Sequence, residues 1–209
     1  MLTNGLTLNT RLPESKRILP IVNGKTVRFP FSRKTVEVAA CPIVGTIGVA
    51  PAAERRYAFL NGNDYLGNVD IPELGMGTTL RLPIRVPGAL LSLGDVHAVS
   101  GDGEISGGAA DCRAVVVIRV NLVKKPRFWF RQPQLDSAST VGCLAMGGSL
   151  DTAVQTAYRD LVERLAADYG FDTVEAYQLL SSVGRIRIGQ MIPPVFHTAL
   201  ASVQRSLVE

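Results

Sequence analysis

Between Ile18 and about Phe130 the chain is cut into short β-branched runs by glycine, proline and asparagine, and such punctuation confines the stretch to strands joined by tight turns. The runs are RILPIV, KTVRFPF, TVEVAA, VGTIGVA, TTLRLPIRV, ALLSLGDVHAV and RAVVVIRVNLV. Asn23-Gly24 separates the first two, and both residues tolerate the positive φ that a type I′ hairpin turn requires. Pro87-Gly88 reads as a bend or bulge inside one region.

The character changes after Gln132. SASTVGCLAMGGS reads as a small-residue loop, followed by helical periodicity with Ser149 as N-cap and Leu150, Val154, Ala157, Leu161 and Leu165 as the buried stripe. Gly170 ends that helix. Asp172 and Glu175 have capping-box spacing for a second helix through Ser182, and Gly184 leads into the alternating strand RIRIGQMI, stopped by Pro193-Pro194. The tail HTALASVQRSLVE can form a last helix. The expected fold class is α+β: mostly antiparallel β, as a sandwich or barrel-like sheet, followed by two helices and a strand. Residues 1–131 form the β-rich region and 132–209 a helix-rich region packed on it as one compact unit.

Composition narrows the class of function. The 209 residues are 46% hydrophobic and 19% charged, which is globular rather than disordered. A formal charge of +4 is modest, and the basic residues are spread out except in KKPRFWFR, Lys124 to Arg131. An edge strand or subunit contact suits that stretch better than a base-stacking surface, so no nucleic-acid partner is expected. No apolar run approaches the ~20 residues that span a bilayer, so a membrane partner is not expected either. Cys41, Cys112 and Cys143 are odd in number and form no CxxC, which points to reduced, mostly buried thiols and a cytoplasmic location.

The chemistry concentrates in GDVHAVSGDGE, Gly94 to Glu104, where one of only two histidines sits among three acids. In an extended strand Asp95 and His97 share a face, about 7 Å apart. The turn that follows has two registers. A four-residue loop pairs Val99 with Glu104 and brings Glu104 to roughly 7 Å from His97, whereas a tight Asp-Gly turn leaves it about 13 Å away. Histidine with carboxylates suits a divalent metal, zinc first, with an open position. Asp95 and His97 are the candidate metal ligands, and Glu104 is a candidate ligand or general base. Asp102, in the turn, is the weakest acid for a catalytic role. Asn68 and Asp70, also two apart, are candidates for orienting a substrate or completing the site. Cys41 has no histidine near it in sequence, and His197 is read as solvated on a surface helix.

These strings resemble the acetamidase/formamidase family. VPGALLSLGDVHA followed by GDGE resembles its signature, CPIVGTIGVAPA its glycine-punctuated strand, and GNVDIPELGMGTTLRLPIRVPGALLSLGD its following order of motifs. LDTAVQTAYRDLVERL, EAYQLLSS and RIRIGQMI resemble its closing elements. The chain departs from the family pattern at Leu66, where a glycine pair is usual before Asn-x-Asp, at Asp111, where glutamate is usual, and at Arg185, where an acid is usual. The usual N-terminal segment is not matched. The resemblance implies metal-dependent hydrolysis of a short-chain amide, such as formamide or acetamide, to carboxylate and ammonia, by a dimer. A noncatalytic relative, or one subunit of a split amidase completed by an N-terminal-segment chain, is the alternative.

Overall fold

The computed structural model describes residues 13, 15–53, 55–124, 130–192 and 195–209. Its strands are β1 (Ile21–Val22), β2 (Thr26–Pro30), β3 (Thr35–Ala39), β4 (Ile43–Gly48), β5 (Asn61–Gly62), β6 (Leu66–Asn68), β7 (Thr79–Arg81) and β8 (Ser92–His97). The C-terminal half adds β9 (Gln134–Asp136), β10 (Thr140–Gly147), β11 (Arg185–Ile188) and β12 (His197–Gln204), with helices α1 (Leu150–Tyr169) and α2 (Thr173–Val183). Every strand pair in the three sheets is antiparallel. The sheets run β1-β2-β3, β5-β6-β4-β8 and β11-β12-β10-β9-β7. The protein is thus α+β and mostly antiparallel.

Local chemistry explains the helix ends. Ser149 accepts the Thr152 N–H as N-cap, and Gly170 closes α1 in the left-handed conformation at φ 79°. Asp172 and Glu175 form a reciprocal capping box at the start of α2. At the first hairpin Asn23 and Gly24 take φ 51° and 66°, and the Lys25 N–H bonds to the Val22 carbonyl.

The largest sheet has a core on each face. Val141, Cys143 and Ala145 of β10, with Ala201 and Val203 of β12, face α1 through Ala157, Leu161 and Leu165. Leu144, Met146 and Leu200 face the other way, onto Leu66, Val69, Ile71 and Leu74. In α1 the buried stripe is Ala153, Ala157, Leu161 and Leu165, while Leu150 and Val154 are only half-buried.

Four expectations change. The tail is the interior strand β12 rather than a helix, and SASTVGCLAMGGS contains β10, the middle strand of the same sheet, rather than a loop. RAVVVIRVNLV joins no ladder among the described residues: Val115 and Val117 are 93% and 92% exposed. A run of β-branched residues marks a segment able to sit on a pleated surface, but forms a strand only where a partner edge is present. Of the thiols, only Cys143 is buried; Cys112 is half-buried and Cys41 exposed, all three free. Pro193-Pro194, and Lys125 to Trp129 of the basic aromatic run, lie outside the described residues.

Candidate metal centre

The β4–β8 ladder pairs Val44 with Val96 and Thr46 with Gly94, which sets Gly45 opposite Asp95. Asp95 itself has φ 57°, so the pleat is interrupted there. Gly45 accepts the N–H groups of both Val69 and Asp70 at 3.0 and 3.1 Å. Those bonds bring the Asn68-x-Asp70 turn against β4. A Cβ on Gly45 would overlap Asp70 Oδ1 and lie 3.1 Å from His97 Cε1, so only glycine leaves the site its space.

Donor atoms of Asp70, Asp95 and His97 lie within 4.8 Å of one another. His97 Nε2 is 3.3 Å from Asp95 Oδ1 and also 3.3 Å from Asp111 Oδ1, while Nδ1 faces Asp70 Oδ1 at 3.8 Å. Asp70 and His97 are 1% exposed, whereas the side chains of Asp95 and Asp111 are 43% and 70% exposed. The cluster therefore opens to solvent past Asp95 and Asp111. Asp111 is bridged to His97 in the backbone as well, which explains how a residue fourteen positions on in sequence reaches the imidazole.

Glu104 reaches the cluster by neither hairpin register. After His97 the chain pairs Ala98 with Ala110, and Asp102–Glu104 makes a 3₁₀ turn. Glu104, buried and at φ 44°, is hydrogen-bonded through its carboxyl to Asp70. Gln190 donates from Nε2 to Asp70 Oδ2 at 2.9 Å and to Glu104 Oε2 at 2.8 Å. Asp102 points elsewhere: its carboxylate pairs with Arg187 at 3.0 Å and accepts the Ile188 N–H at 3.2 Å, clasping β11 to the turn. Asn68 Oδ1 accepts from Thr46 Oγ1, which also lies 3.3 Å from Asp95 Oδ2. Asn68 thus stands one hydroxyl away from the cluster. His197 is half-buried at the start of β12.

The three acids Asp70, Asp95 and Glu104 all adopt positive φ, at 43°, 57° and 44°. Such conformations cost about 1–2 kcal/mol each for L residues and gather at working sites. Burial pushes the Asp70 carboxyl up to about 8, helped by its hydrogen bond to Glu104 and the charge of that group. The hydrogen bond from His97 holds Asp95 below the ordinary carboxylate range despite burial. Burial drives the His97 imidazole down, but Asp95, Asp70 and Glu104 together outweigh it and its pKa rises.

Two buried donor atoms, Asp70 Oδ1 and His97 Nδ1, have no hydrogen-bond partner. Facing each other in a site of mixed nitrogen and oxygen donors, they fit a divalent cation. Gln190, Asp111, Thr46 and Gly45 join the cluster beyond the candidate residues; the signals in the sequence are the departure at Asp111 and the CPIVGTIGVAPA and RIRIGQMI strings that contain the other three.

The sequence profile of the acetamidase/formamidase family matches residues 48–201. The formamidase of Methylophilus methylotrophus is 40% identical over 62 residues, 29% of this chain and 15% of that protein. The acetamidase of Mycolicibacterium smegmatis is 33% identical over 96 residues, 42% of this chain and 24% of that protein. The crystal structure of an acetamidase from Yersinia enterocolitica superposes with a TM-score of 0.87 at 34% identity, covering 97% of this chain and 59% of that one. An acetamidase from Bacillus halodurans superposes with a TM-score of 0.82 at 31% identity, over 90% of this chain and 61% of that one. The chain therefore spans less than two thirds of the length of these relatives. With most of its length matched by one profile, the chain belongs to the acetamidase/formamidase family.

Proposed function

We propose that this chain carries the hydrolytic centre of an amidase acting on short-chain amides of the formamide and acetamide kind, with a divalent cation, zinc first, held by Asp70, Asp95 and His97. The observation that carries the reading is the pair of orphaned buried donors, Asp70 Oδ1 and His97 Nδ1, beside the solvent-facing Asp95 carboxylate. A cation bound there would supply Lewis-acid polarisation of the amide carbonyl and make water more acidic. Asp95 and Asp111 line the open side through which a small amide would enter. Glu104, held beside Asp70 by the shared Gln190 amide, would take a proton from water and return it to the departing nitrogen. Asp95 and Asp111, both 3.3 Å from Nε2, orient the His97 ring and leave Nδ1 turned toward the cation site.

A second reading, in which the centre needs another chain to complete it, is favoured by the exposed apolar residues Val115, Val117, Val120, Leu122 and Val123. A second copy of this chain or a chain bearing the N-terminal segment would cover them. No helix among the described residues is long and apolar enough to cross a membrane, and three free thiols suit a cytoplasmic home. The test is ammonia release from formamide and acetamide by the purified protein, metal-stripped and then reloaded with zinc or manganese. Activity restored by metal in the parent and absent in H97A and D95A is expected. Equal activity in stripped and reloaded protein, or in H97A, would sink the metal-centre reading.

A further inference from the structure

Gln190 lies 120 residues from Asp70 and 86 from Glu104 in sequence, yet its amide joins them. Its backbone is held on both sides. The Gln190 N–H bonds to the Val69 carbonyl, one residue before Asp70, and its carbonyl accepts the Thr198 N–H of β12, both at 2.8 Å. Its side-chain orientation is fixed as well, because Oε1 accepts the Ile192 N–H at 2.8 Å. With the oxygen so occupied, both Nε2 hydrogens face the carboxylates. Turning the amide over would set a carbonyl oxygen against two acids and leave the Ile192 N–H facing a donor.

The consequence lies at Asp70. Gln190 takes Oδ2, which leaves Oδ1 as the atom directed at His97 Nδ1. The same amide holds Glu104 beside Asp70. Nearby contacts brace the clamp: Asp102 bonds Arg187 and Ile188, and a Cβ on Gly103 would meet Met191 Sδ at 2.6 Å. The segment from Arg187 to Ile192 thus presses the C-terminal sheet onto the acidic turn.

We propose that Gln190 is the positioning residue of this centre, spending its two amide hydrogens to hold Asp70 and Glu104 together and to aim Asp70 Oδ1 at the cation site. The inference rests on the metal-centre reading for its consequence, though not for its geometry. Q190M keeps the side-chain length and removes both donors. Its expected behaviour is a cooperative fold with a lowered melting temperature, since the Ile192 N–H and both carboxylates lose a buried partner, a zinc dissociation constant weakened about 10- to 100-fold, and kcat lowered about 100-fold with little change in KM. Q190N, one methylene shorter, carries the same readouts should Q190M not fold. A zinc affinity within twofold of the parent, with kcat unchanged, overturns the proposal. Should H97A and D95A also leave zinc binding untouched, the metal-centre reading has failed instead. The crystal structure of the Gln190 variant then decides: carboxyls of Asp70 and Glu104 moved apart support the clamp, and carboxyls still paired overturn it.

Discussion

Asp70 Oδ1 occupies the space that a side chain on Gly45 would need, although the two residues lie 25 positions apart. The missing Cβ on β4 is what allows a carboxylate from the following turn to lie under His97. Gly45→Ala should therefore act on the site before it acts on the fold. We expect destabilisation of about 1–3 kcal/mol from overpacking and a loss of zinc affinity of at least about tenfold. Denaturant unfolding together with a zinc titration checks both. Parent-like zinc affinity in G45A would mean that Asp70 is not a ligand.

Asp102 and Glu104 are two residues apart in one glycine-flanked turn, yet they face different partners. Glu104→Gln should lower hydrolysis by about 10²- to 10⁴-fold, the usual range for a lost acid–base group. Asp102→Asn breaks a half-exposed pair with Arg187, for which about 0–1 kcal/mol is the ordinary cost. Its kcat should fall far less than that of the Glu104 variant, by about tenfold at most, since the group braces the segment carrying Gln190 but reaches no atom of the cluster, and asparagine can still accept the Ile188 N–H. Steady-state kinetics on both variants separate the roles, and equal losses would contradict the placement.

The strand-borne part of the site was legible because Asp95 and His97 stand two apart in β8, the spacing that period two reports, and the pair meets at 3.3 Å although the positive φ of Asp95 interrupts the pleat. Glu104 was legible in type but not in route, since its 3₁₀ turn at φ 44° leaves no mark that a hairpin would not also leave. Gln190 was hidden: it reaches Asp70 across a whole sheet, and a polar residue at the end of RIRIGQ reads as an ordinary strand exit. β10 and β12 escaped for a different reason. Both are buried on two faces, so β10 lacks the alternation that marks half-buried strands. Gly142 and Gly147 further lower its apparent strand character, yet each is required by contact, with Leu200 Cδ1 2.8 Å from a Cβ on Gly142. β12, with Ala199, Leu200, Ala201 and Val203 buried, spaces its apolar residues as a helix would. Leu66 shows the family pattern in negative: at φ 71° it holds the conformation for which glycine is suited, and its fully buried side chain in the second core offsets the strain.

Beneath the large sheet Arg164 donates to Asp136 Oδ2 at 2.8 Å and to the Gly142 carbonyl at 2.9 Å, with Arg81 on the same carboxylate. Asp136→Asn leaves the buried guanidinium with only the more exposed Asp168 carboxylate, 3.5 Å from Nε, as counter-charge, at a cost of up to about 3–5 kcal/mol. Burial would raise the Asp136 pKa, but Arg164 and Arg81 hold it below the ordinary carboxylate range. A depressed native pKa contributes stability that is present above the unfolded value and lost as pH falls through the native one. The parent should thus lose its advantage over D136N on acidification below about pH 4. Urea unfolding of both proteins from pH 7 downward reads this, and a difference constant with pH would contradict it.

Asp160 has the opposite sign. It sits on the buried face of α1, 8% exposed, and accepts only the Gln132 backbone N–H at 2.9 Å among the described hydrogen bonds. Burial first, and then the charge of Glu163, push its pKa up to about 6, against weaker pulls from Gln132, Arg131 and Arg159. A carboxyl whose native pKa lies above its unfolded value binds its proton more tightly when folded. Stability from this group is therefore full below the unfolded value near 4 and declines as pH rises toward 6, above which the native state holds an under-solvated charge. Asp160→Asn retains an oxygen to accept the Gln132 N–H and carries no charge to desolvate. We expect D160N to match the parent near pH 4 and to exceed it by on the order of 1–3 kcal/mol at pH 7, with the gain developing between those values. Parallel stability curves for the two proteins across this range would show that solvent reaches Asp160 and that its burial is relieved.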